Sequence, residues 1–193
     1  MPPSDRSSTD PISAAASAIH DAASNSTTEV RVLWHQLSGG RPFSNEAILT
    51  VHVELAWYLI AAMHREALAK RGMDSAAWQP VRDRLIADTA RALADALFDW
   101  SGQPPEVRQR QGEVFVEWCS EAEADYGDVM KAVPTPGDVD LEDNLAGRWA
   151  MRVIGLADLP KNFGLTVQLS LAATRCYGAA HVPRTVTDLT QGA

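Results

Sequence analysis

The chain has 193 residues, 46% hydrophobic and 22% charged, enough to bury one sizeable core and too few to need a second. A formal net charge of −8 opposes direct binding to nucleic acid phosphates or anionic membranes. Cys119 and Cys176, with no CxxC and no Cys/His cluster, argue against redox and zinc motifs, and a cytoplasmic location with reduced thiols is expected.

Residues 1–28 are rich in Ser, Ala, Thr and Pro and hold no aromatic residue, so they read as a flexible leader with at most one weak helix after Pro11. One arginine and the short stretch ISAAASAI do not make a secretory signal. The tryptophans all lie between Trp34 and Trp149, and the fold is expected over residues 29–181, with 182–193 as a tail. At the start of that span, Ser26 and Glu29 have the spacing of a capping box. Val30, Val32 and Trp34 also alternate as in a short strand, so both readings of this segment stay open.

The segment SNEAILTVHVELAWYLIAAMHREALAKRG spells a helix over about 45–71. Ser44 caps it, Glu46 sits in the first turn, Lys70 and Arg71 occupy the last, and Gly72 stops it. Its middle is apolar all round, which marks a central buried helix. The longest apolar run, LAWYLIAAM at 55–63, is about half of what spans a bilayer.

A third element, WQPVRDRLIADTARALADALFDW, has Pro80 near its start and a clean stripe through Trp78, Val81, Leu85, Ala90, Leu93 and Leu97. Arg84–Asp88 and Arg91–Asp95 are opposite charges four apart on its other side. Helices follow over roughly 105–125 and 139–156, separated by the PTPG break at 134–137. In PKNFGLTVQLSLAATRCYG, Phe163, Val167 and Leu171 recur at helical spacing, while LTVQLSL alternates as a strand would. The expected fold is an all-α single domain of about five or six packed helices. The alternative is α+β, with a small sheet from the segments near 29–35 and 165–171.

No catalytic or cofactor motif emerges. Cys119 lies on the apolar face of its helix among Glu117, Glu121 and Glu123, which disfavour a thiolate. No histidine has a second ligand three or four residues away, so no metal site is expected from one helix. Asp138, Asp140, Glu142 and Asn144 alternate like the start of a calcium loop. The glycine required at position 6 is Asp143, and the glutamate required at position 12 is Trp149. Asp138 or Asp140 is better read as a helix cap. SGGRP at 38–42 lacks the lysine and serine of a phosphate loop.

What stands out is the window from Glu113 to Asp143, with ten acids and the single base Lys131. Its net −9, against −8 for the whole chain, leaves the remainder at +1. Glu113, Glu117 and Glu121 follow one another at four-residue spacing, where like charges cost a few tenths of a kcal/mol per pair. The leading reading is a helical protein–protein interaction module whose acidic face meets a basic protein, as an inhibitor or nucleic-acid mimic in its sharper form. Its candidate residues are Glu113, Glu117, Glu121, Asp125, Asp128 and Asp140, with Trp118, Tyr126 and Trp149 as aromatic anchors. The second reading is a ligand-binding or enzymatic domain with a pocket beside helix 45–71, its polar groups being His52, Glu54, Tyr58 and His64. His52 itself falls amid Leu49, Ala56, Leu59 and Met63, the setting of a core histidine. The third is a structural subunit whose exposed apolar surface serves homo-oligomeric assembly.

Overall fold

The computed structural model describes residues 10–37, 42–127, 144–159, 161 and 163–191. They form helices α1 (Pro11–Leu37), α2 (Asn45–Arg65), α3 (Ser75–Leu97), α4 (Pro105–Tyr126), α5 (Leu145–Leu156), α6 (Phe163–Ala179) and α7 (Val182–Gln191). The fold is all-α, as expected. The sheet considered for 29–35 and 165–171 is not formed, because those segments lie inside α1 and α6.

A helix that is apolar on every side has to be enclosed, and α2 is. Ser44 accepts the Ala47 N–H at 3.0 Å, and the helix continues through a π-helical turn, Glu66–Lys70, to Gly72 at φ +63°. Leu55, Trp57, Leu59, Ile60 and Met63 are fully buried against the surrounding helices α1 and α3 to α7. By length and composition Asn45–Lys70 is apolar enough to cross a membrane. However, 83% of its most apolar window is buried within the protein, the setting of a soluble protein's core helix.

Two segments read as a leader and a tail are helical. Residues 11–28 are the first five turns of α1 rather than a flexible leader. Ala15, Ala16, Ile19, Ala22 and Ala23 recur at three- and four-residue spacing and are buried against α2 and α3. Small side chains let the helices approach closely, but their low hydrophobicity hides the stripe in the sequence. Arg84 pairs with Asp10, and Ser13 donates to Asp88 at 3.1 Å, which ties the start of α1 to α3. The capping box at Ser26 is not used, since Ser26 lies buried in mid-helix. Likewise α7 replaces most of the expected tail, with Val182, Val186 and Leu189 buried along one face.

The remaining differences are local. Asp74 caps α3 by accepting the Ala76 N–H at 2.8 Å. On α3, Arg91 pairs with Asp88 at 3.2 Å rather than with Asp95, because Arg108 of α4 takes Asp95. Helix α5 begins at Leu145, where Asn144 caps it by accepting the Gly147 N–H at 3.0 Å. The caps expected at Asp138 or Asp140 fall outside the described residues.

Candidate functional site

Helix α4 presents its buried face, Phe115, Cys119, Ala122 and Tyr126, to the core. At about 100° per residue, the opposite side holds Glu113, Glu117 and Glu121, all exposed, with exposed Val114 and Val116 on its flanks. Arg110 reaches Glu113 at 3.6 Å and Gln109 donates to it at 3.1 Å. Glu117 and Glu121 meet no cation among the described residues.

The last two acids of α4 have a different use. Glu123 is paired with Arg82 of α3, and both side chains are largely buried. Asp125 is paired with Arg152 of α5. Helix C-termini disfavour negative charge, and these two arginines supply the counter-charge that the helix itself lacks.

Arg152 also engages Glu54, which is completely buried at the centre of α2. Its Nε lies 2.9 and 3.0 Å from the two carboxylate oxygens, and the Trp118 indole N–H donates to the same carboxylate. Burial pushes the Glu54 carboxyl above its ordinary range, and Arg152 and Trp118 act against that push. The network joins α2, α4 and α5 into one unit.

The acidic window is thereby divided. Trp118 faces inward to Glu54, and Tyr126 and Trp149 are buried in the core, so neither of those two serves as an exposed anchor. Both were expected on the surface because a large aromatic beside acids resembles an interface rim. Here their area is used for packing, with Trp149 set against Tyr58 at 6.2 Å between ring centroids. Asp128 and Asp140 lie outside the described residues. Arg152 was missed. The signal available was Glu54 itself, a lone acid in an apolar helix that demands a base.

The four polar groups assigned to a pocket beside α2 do not converge. His52 faces α1, where its ring stacks on His20 at 5.1 Å and its Nε2 lies 3.3 Å from His20 Nδ1. Burial first, then the neighbouring His20, drives the His52 pKa down to about 4. Glu54 faces α4 and α5. Tyr58 is buried, its hydroxyl pushed well up by that burial. His64 faces α3, its Nδ1 accepting the Trp78 indole N–H at 3.2 Å.

Both cysteines are free and buried. Burial, and secondarily Glu123, pushes the Cys119 thiol far up, and burial pushes Cys176 to about 11. Neither environment favours a nucleophilic thiolate. Among the described residues no group of three His, Cys, Asp or Glu side chains is arranged to hold a metal ion. Comparison with protein-family models, with curated proteins and with solved structures found no match.

Proposed function

We propose that the solvent face of α4 is a docking surface for a basic protein. The observation that supports this reading is the pair Glu117 and Glu121, left without counter-charge among the described residues while Glu123 and Asp125 just beyond them are each held by an arginine. Stacked like charges work slightly against the helix, and nothing in the packing asks for them. Val114 and Val116 beside them offer apolar contact within a charged rim. Mimicry of a nucleic acid calls for two parallel acidic rows, and the described part of α4 has one, so the proposal is kept to a basic protein. The cytoplasmic location expected from the cysteines goes with this reading.

The test compares wild-type and Glu117→Lys baits in lysate of the native cell, at low and high salt, with captured proteins quantified by mass spectrometry. A basic protein held by wild type at low salt, released at high salt and lost on the variant is the expected result. If no captured protein distinguishes the two baits, the face is only solvated.

A further inference from the structure

Helix α1 changes character half way along. Its first half, residues 11–24, buries Ala15, Ala16, Ile19, Ala22 and Ala23, so apart from Ile19 each inward side chain contributes a single methyl group. The second half buries Val30 and Trp34, sets the Trp34 ring 5.8 Å from Phe43, and pairs Glu29 with Arg175 of α6. The first half is therefore the weakly held part, and polar contacts have to supply what its apolar face lacks.

Each of those contacts contains a group that takes up a proton. Arg84 of α3 pairs with Asp10, and Ser13 donates to Asp88 at 3.1 Å. Two turns further on, His20 stacks on His52 of α2, with centroids 5.1 Å apart, ring planes at 27°, and Nδ1 of His20 3.3 Å from Nε2 of His52. Such a contact between ring nitrogens holds one proton. A second sets N–H against N–H, and two cationic rings in contact repel.

No carboxylate among the described residues stands by to offset that charge, and His20 is the ionisable group that acts on His52. On α2, Glu54 is held by Arg152, and Glu46 is exposed in the first turn. On α3, Asp88 and Asp95 are paired with Arg91 and Arg108. On α1, Asp21 is exposed, and on α7 Arg184 and Asp188 pair with each other at the surface. Burial first, then His20, holds the His52 pKa at about 4 against the ordinary 6.5, so the closed arrangement binds fewer protons than an open one. The contact is at full strength above pH 6.5 and weakens as pH falls from there towards 4.

We propose that the first half of α1 is an acid-released strap: protonation at the His20–His52 contact lifts residues 11–24 from α2 and α3 while the second half stays docked. His20 is only half-buried, so a proton from solvent reaches the pair through it. Release uncovers the surface of α2 and α3 on which α1 packs. A histidine pair biasing a weakly held element is the ordinary design of a pH-responsive fold.

The test is amide hydrogen exchange of the full ¹⁵N-labelled chain at about pH 7 and about pH 5, with rates expressed as protection relative to unstructured chain. Amides of residues 15–23 are expected to be less protected than those of α2 at both pH values, and to lose about tenfold or more of their protection in acid. His52→Gln removes that dependence. His20→Glu sets a carboxylate against His52 and reverses it, so protection holds or rises in acid. Exchange of residues 15–23 in step with α2, protection that does not change with pH, or an equal loss in either variant would each overturn the proposal.

Discussion

Burying the carboxylate of Glu54 alone would be prohibitive; Arg152 and Trp118 make it tolerable by supplying charge and hydrogen bonds in place of water. Removing one partner of such a pair leaves an uncompensated charge in the core. Arg152→Gln is therefore expected to lower stability by roughly 3–5 kcal/mol, measured by urea denaturation. A loss below 1 kcal/mol would show that Glu54 is solvated or protonated at no cost. His52 gives the second prediction at this scale. Its folded pKa of about 4 lies below the ordinary 6.5, so the folded state binds fewer protons than the unfolded one. Its contribution is fully present above pH 6.5 and is lost as pH falls from 6.5 towards 4, by roughly 3 kcal/mol in all. His52→Gln should flatten that part of the stability–pH curve. An unchanged slope would mean that the buried ring accepts a proton freely.

The helices divide by how loudly their sequences announce them. Bounds for α2, α3 and α4 were legible to within a few residues, because Ser44, Gly72 and Pro80 are strong local punctuation and the apolar stripes are large. Helix α1 was half hidden. Its inner face is alanine, which buries little area per residue and looks like the composition of a linker. In its first five turns Ile19 is the largest buried side chain, fully enclosed in the α1 interface. Ile19→Ala is expected to cost about 2–5 kcal/mol, read by chemical denaturation. A change within experimental scatter would restore the flexible-leader reading.

Across the whole molecule, the charge asymmetry is the feature that packing does not explain. Ion pairs with Arg82 and Arg152 absorb Glu123 and Asp125, and the remainder of the described excess stays on the outer side of α4. If Glu117 serves a partner rather than the fold, replacing it should not harm the fold. Glu117→Lys turns two repulsive four-residue pairs, with Glu113 and Glu121, into attractive ones. A gain of roughly 0.5–1 kcal/mol is expected in thermal or urea unfolding. Destabilisation would instead place Glu117 in an internal contact and remove the argument for a docking surface. Binding through this face should also weaken steeply as salt shortens the screening length.

The predominance of helix, the central position of α2, the apolar setting of Cys119 and the surplus of acid near α4 were determined by the sequence alone. Those features follow from periodicity, local caps and composition, which act between neighbours in the chain. Which acids are internal and which face solvent was decided only by the tertiary structure. Glu54 and Arg152 are 98 residues apart, as Arg82 and Glu123 are 41 apart, and no spacing rule reaches so far. The same holds for His20 against His52 and for the inward turn of Trp118, Tyr126 and Trp149. Each depends on two distant segments sharing one volume, and that is a property of packing rather than of pattern.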